Sequence, residues 1–124
     1  MLSKIIPIIQ IIQEVDVVAR EQLQTLSEPM YFILLALTRP MHGYEIMQTV
    51  SAISNDRVKV GAGTLYALLT RFEKEEIVVC IGDDGRRKTY ALTEKGRGLL
   101  AREYMRLKES IIAYDDYLAG GGRA

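Results

Sequence analysis

Between Leu65 and Leu92 the apolar residues of this chain change their spacing, and only a helix followed by a hairpin satisfies both halves. Leu65, Leu68, Leu69 and Phe72 fall at i, i+3, i+4 and i+7, the stripe of a helix with one buried face. Thr64, Ala67, Thr70, Arg71 and Lys74 fall on the opposite side. That outer face is small, hydroxylated or basic, with no acid until Glu73. The run Ile77-Val78-Val79-Cys80-Ile81 is then β-branched and short, and Gly82-Asp83-Asp84-Gly85 has turn chemistry. Lys88-Thr89-Tyr90-Ala91-Leu92 makes the return strand, with Arg86, Arg87 and Lys88 gathered where the tip meets it.

The flanking segments fit around this centre. Ser27 is an N-cap with Glu28 and Pro29 in the turn after it, and residues 30–37 are almost wholly apolar, as in a helix buried on most sides. Pro40 stops that helix. A second runs from Gly43 to Ile53, with Ile46, Met47, Val50 and Ile53 as its apolar stripe, and break signals follow at residues 54–56 and 61–63. Thr93 caps a long last helix over residues 94–118, which Gly120-Gly121-Gly122 ends. The expected fold is mainly α with a small β-hairpin, in the order of a winged helix-turn-helix over residues 20–93. Residues 94–118 form a long C-terminal dimerisation helix, 119–124 a flexible tail, and 1–19 an extra N-terminal segment.

Composition narrows the chemistry. The 124 residues suffice for one domain with one core. One cysteine, Cys80, excludes an internal disulfide framework, and its place in an apolar β-branched run reads as a core thiol. With His42 as the sole histidine, no tetrahedral metal site and no catalytic pair beyond Cys80 and His42 is available. No phosphate loop or paired carboxylate motif appears, so no enzyme, cofactor or metal is expected. Net charge is zero, but residues 57–97 hold nine basic against six acidic residues, which leaves a modestly positive middle. The apolar stretch at residues 5–12 is shorter than the about 20 residues of a membrane span and lacks a signal-peptide cleavage pattern. It reads as an extra docked helix or strand, or as residues of an unusual start site. A cytoplasmic location without membrane attachment is expected.

His42-Gly43-Tyr44-Glu45-Ile46, Gly63-Thr64-Leu65-Tyr66 and the run from Asp84-Gly85-Arg86-Arg87-Lys88-Thr89-Tyr90 through Ala91-Leu92-Thr93-Glu94-Lys95-Gly96 strongly resemble the PadR family of bacterial transcriptional regulators. The likeness runs from about Arg20 to Leu118 with three motifs at matching spacing, and looks like the subfamily with a single C-terminal helix. It implies a sequence-specific regulator, a ligand-responsive repressor that binds a near-palindromic operator in double-stranded DNA as a homodimer. Two departures stand out: Ala67 follows Gly-Thr-Leu-Tyr where the family often has proline, and Glu76 replaces the glycine that usually ends the third helix.

On this reading the third helix enters the major groove and the hairpin lays its basic residues along phosphates. The DNA-binding set is Tyr44, Lys59, Gly63, Thr64, Tyr66, Ala67, Thr70, Arg71, Lys74, Arg86, Arg87 and Lys88. For Tyr66, packing against the hairpin is an equal alternative to a DNA contact. In the last helix Leu100, Tyr104, Leu107, Ile111, Tyr114 and Leu118 are spaced alternately by four and three, a heptad seam for a symmetry mate. Tyr31, Phe32, Tyr104, Met105 and Tyr114 are candidates for a pocket that takes a small aromatic effector, with packing as the default for each. The rival to DNA binding is a winged-helix module that binds protein.

Overall fold

The computed structural model describes residues 25–120. The N-terminal segment 1–19, with its apolar run, and residues 121–124 of the tail lie outside the described residues. The elements in chain order are α1 (Glu28–Ala36), β1 (Met41–His42), α2 (Gly43–Ile53), α3 (Ala62–Lys74), β2 (Val78–Asp83), β3 (Lys88–Leu92) and α4 (Glu94–Ala119). The protein is mostly helical with one small antiparallel sheet in the order β1-β3-β2.

α1 starts at Ser27, whose hydroxyl accepts from Met30 N–H at 3.4 Å, and buries Ile33, Leu34 and Ala36. It ends at Ala36 with Leu37 as C-cap, short of Pro40. α2 buries Ile46 and Val50, with Met47 half-buried; Ile53, expected on that stripe, lies 42% exposed at the helix end. α3 buries Leu65, Leu69 and Phe72 fully, and Leu68 packs half-buried at the edge of the same stripe. These side chains meet Val58, Val60, Ile77, Val78, Tyr90, Leu92 and Leu99 in one core. Burial of such aliphatic and aromatic side chains is worth roughly 1.5–3 kcal/mol each, which is what holds three short helices against a hairpin.

The strands depart from expectation in two places. β1 is a third strand that periodicity did not announce, paired through Met41 with Tyr90 and His42 with Thr89. β2 runs on to Asp83, with a register shift between Cys80 and Gly82. Ile81 is exposed on the same side as Val79, and Cys80 packs half-buried at the edge of the core with its thiol 3.3 Å from Gly82 O, so the expected core thiol is only partly covered.

α3 ends in a complete Schellman motif. Ile77 N–H donates to Phe72 O at 2.8 Å and Glu76 N–H to Glu73 O at 3.0 Å. Glu76 therefore carries the left-handed backbone, φ 61°, that the motif demands. A side chain there costs about 1 kcal/mol against glycine. Glu76→Gly is expected to stabilise the domain by about that amount, read as a raised denaturant midpoint with unchanged m-value; an unchanged or lower midpoint would show that the left-handed residue carries no strain.

Two acids are buried without forming a site. Glu103 on α4 is held by Arg106 (Nη2–Oε2 2.6 Å) and by the Leu26 N–H, which keep its carboxyl below the usual range despite burial. Glu75 at the C-cap of α3 accepts from Arg71 Nε at 2.8 Å. Among the described residues no group of three or more His, Cys, Asp or Glu side chains gathers for a metal, and no helix is long and apolar enough to cross a membrane.

Candidate nucleic-acid interface

The start of α2, the first turns of α3 and the hairpin tip enclose a cleft of about 410 Å³. Its walls are His42, Gly43, Tyr44, Tyr66, Arg86, Arg87, Lys88 and Tyr90. Five of the residues expected to bind DNA thus meet in one place: Tyr44, Tyr66, Arg86, Arg87 and Lys88. They come from three different sequence motifs, and the sheet brings them together by pairing β1 with β3.

Tyr66 reaches across to α2. A Cβ on Gly43 would lie under 3.0 Å from Tyr66 Oη and Cζ, so only glycine at 43 admits the ring in this place. The ring lies against the start of α2 with 47% of the residue still exposed, its hydroxyl end in the cleft. Tyr44 is 63% exposed. Tyr90 is buried, which pushes its phenol up and leaves it as a wall of the cleft.

The hairpin tip is built to present arginines. Asp84 Oδ1 accepts from the backbone N–H of Arg86 at 3.0 Å and of Arg87 at 2.8 Å, and Asp84 N–H donates to Arg87 O at 3.2 Å. These backbone bonds hold the Asp84 carboxyl below its ordinary range. The tip is pinned by main-chain contacts, and the side chains of Arg86, Arg87 and Lys88 are exposed.

The other expected DNA-binding residues stand outside the cleft. Gly63, Thr64, Ala67, Thr70 and Lys74 form the exposed outer face of α3, and Lys59 is exposed just before that helix. Thr70 Oγ1 donates back to Tyr66 O at 2.9 Å, which engages its proton within the helix. Arg71 is exposed but committed through Nε to the buried Glu75, so its charge is partly neutralised in place. Sequence reasoning passed over His42, Gly43 and Tyr90 as cleft residues. The only signal for the first two was their place directly before Tyr44.

On α4 the seam residues Tyr104, Leu107, Ile111, Tyr114 and Leu118 are exposed, and Leu100 packs partly on the core. Tyr31, Phe32 and Tyr114 line a groove of about 760 Å³ between α1 and α4, together with Leu107, Ile111 and Arg57, whose guanidinium lies 5.9 Å over the Phe32 ring. Tyr104 lines a second groove of about 310 Å³ with Tyr31 and Leu100. Met105 lines neither and is exposed. The five candidate effector residues are therefore divided between two grooves and a free surface.

Residues 33–102 match the family described as "Transcriptional regulator PadR-like family". A PadR-like transcription factor from Bacteroides fragilis is similar over 69% of this chain and 85% of its own, with 30% identity and a TM-score of 0.59. A PadR family regulator from Eggerthella lenta is similar in fold at 20% identity, covering 88% of this chain and 89% of its own, TM-score 0.58. Among curated proteins, an uncharacterised protein of Lysinibacillus sphaericus is 34% identical over 84 residues, 62% of this chain and 77% of that one. A 37.1 kDa protein of a Streptomyces fradiae transposon is 36% identical over 78 residues, 62% of this chain but 22% of the longer protein. The motifs at His42–Ile46 and Gly63–Tyr66 and the basic wing thus sit on the fold they were expected to sit on, and the chain belongs to the PadR-like family of transcriptional regulators.

Proposed function

We propose that this regulator binds double-stranded DNA as a homodimer at a near-palindromic operator and represses transcription in a ligand-responsive way in the cytoplasm. The observation that carries DNA binding is the cleft that gathers Tyr44, Tyr66, Arg86, Arg87 and Lys88 beside the outer face of α3, which carries no acid before Glu73. An α-helix face of small and basic residues suits the major groove, and the adjacent wing suits the phosphate rim. The exposed heptad seam of α4 supports the dimer, since two recognition helices then face two half-sites. The groove lined by Tyr31, Phe32 and Tyr114 is large enough for a small aromatic effector and supports that part of the reading.

Binding to a random-sequence duplex at two or more salt concentrations tests the proposal. Each neutralised phosphate contributes about 0.9 to the slope of log affinity against log salt. Replacing Arg86, Arg87 and Lys88 together by alanine is expected to reduce that slope by about two to three and to cut affinity at least about tenfold at low salt. The tip keeps its shape in this variant, because Asp84 holds it through backbone N–H groups that alanine retains. A wild-type affinity insensitive to salt would favour the protein-binding module instead, and an unchanged slope in the triple variant would place the wing away from DNA.

A further inference from the structure

His42 is the only histidine of the chain, and it stands between the wing and α2. It closes β1, pairs across the sheet with Thr89, and is the N-cap of α2. Its Nε2 lies 3.1 Å from Glu45 Oε1 and 3.5 Å from Arg87 Nη1. Those two neighbours make incompatible demands on one atom. A guanidinium only donates hydrogen bonds and a carboxylate only accepts them. An unprotonated Nε2 takes a hydrogen bond from Arg87 and offers Glu45 nothing. A protonated Nε2 donates to Glu45 and leaves Arg87 without a partner there. In the imidazolium, where both ring nitrogens carry protons, the ring also repels the guanidinium.

We infer that His42 is a positioning residue for the wing, and that its protonation passes Nε2 from Arg87 to Glu45 and so frees Arg87 for a phosphate. This rests on the DNA-binding reading of the cleft and adds regulation by pH to it. The proton changes the cleft in two ways at once. It releases the Nη1 donor of Arg87, and it adds a positive charge where Arg86, Arg87 and Lys88 already converge. Besides Arg87, the ionisable groups around the ring are Glu45, in contact from α2, and Tyr44, Tyr66, Tyr90, Arg86 and Lys88, which line the same cleft. Among the described residues Glu45 is the one acid paired with the ring. With 24% of its side chain exposed, His42 exchanges protons with solvent while remaining held in place.

Linkage gives the sign. A phosphate in the cleft favours the protonated ring, so binding takes up a proton and affinity rises as pH falls through the range in which histidines change charge. With one histidine in the chain, the response has one principal source. Affinity for a short random-sequence duplex, followed by fluorescence anisotropy at constant ionic strength, is expected to rise about three- to tenfold from pH 8 to pH 5.5, the range of up to one unit of proton coupling. His42→Gln keeps a neutral side chain and is expected to show a flat profile over that range. Arg87→Ala leaves the histidine in place and removes its wing partner; its profile is expected to rise by less than half the wild-type factor, and its overall affinity to be lower. In the wild type the single imidazole signal, followed by NMR, is expected to titrate at higher pH with duplex present than without it. A wild-type profile that is flat while binding remains salt-dependent overturns the inference and leaves DNA binding standing. An equal rise in His42→Gln overturns it as well. Absence of salt-dependent binding at every pH overturns the DNA-binding reading itself, and this inference with it.

Discussion

Gly96→Ala is expected to destabilise the domain by about 3 kcal/mol, while Gly98→Ala, two residues further along the same helix, is expected to leave it unchanged or slightly more stable. The difference lies in what each Cβ meets. At Gly96 it would fall under 3.0 Å from the carbonyl oxygen of Ile77 and 3.1 Å from Leu92 Cδ2. Neither neighbour is free to give way. Ile77 is buried, its carbonyl accepts from Thr93 N–H at 3.1 Å, and Leu92 is in the core. Thr93 meanwhile clamps the same junction, with its hydroxyl donating to Glu76 O at 2.6 Å and accepting from Gly96 N–H at 3.0 Å. A methyl group there forces the start of α4 off the sheet. At Gly98 a Cβ meets only the far end of the Arg102 side chain at 3.4 Å, so the gain in helix propensity of up to about 1 kcal/mol is unopposed. Thermal unfolding separates the two, because about 3 kcal/mol corresponds to a fall of roughly 12–24 °C in a domain this size. A Gly96→Ala midpoint within a degree or two of wild type would show that α4 is not seated on the Ile77 carbonyl.

The contrast between the two glycines also shows what a sequence of this kind discloses and what it conceals. The α3 stripe was legible because Leu65, Leu69 and Phe72 repeat with the period of the helix that buries them. The wing was legible because strand, turn and strand follow one another with local chemistry. β1 was not, because two residues hold no alternation; Met41 and His42 become a strand only where β3 offers them an edge. Nor was the bulge at Ile81, since it is set by the pairing of Cys80 with Tyr90 and of Gly82 with Thr89. The buried acids hid for a related reason. Glu75 and Glu103 look like members of a solvated helix face, and each is buried beside an arginine four or three residues away. The cleft itself joins His42 to Arg87 over 45 positions of chain, a separation that no local pattern spans. Tyr44, Tyr66 and the three basic wing residues were therefore identified one motif at a time, and their convergence was a matter of topology.

Ile111→Asp is expected to convert the proposed dimer to a folded monomer and to weaken operator binding at least about a hundredfold. The choice of position follows from the exposure of the seam. Leu107 and Ile111 both line the groove against α1, but Leu107 is the more covered at 36% exposed, so an acid there disturbs the subunit as well as the interface. Ile111 is 63% exposed in the single chain, so an aspartate at 111 is tolerated by the monomer. Against a symmetry mate the same carboxylate would be buried without a partner, at a cost of several kcal/mol. Leu100, the first seam residue, packs partly on the core, but the described residues of α4 that are buried within the subunit, Gly96, Leu99 and Glu103, all precede Tyr104 and the exposed length of the seam. Circular dichroism should thus report a wild-type fold while sedimentation reports half the mass. DNA binding should then fall much further than any single lost contact would require. A half-site held next to a bound half-site is presented at an effective concentration set by the rigid α4 pair, and a monomer forfeits that term at once. A variant that stays dimeric would move the interface to the other apolar surfaces of α4, Met105 and Ile112 first, because they face away from Ile111 on the same helix. A monomer that still held the operator with wild-type affinity would mean that each winged domain reads its half-site independently. An effector bound between α1 and α4 would then have no geometry between subunits to alter, and regulation would have to act within the cleft of a single chain.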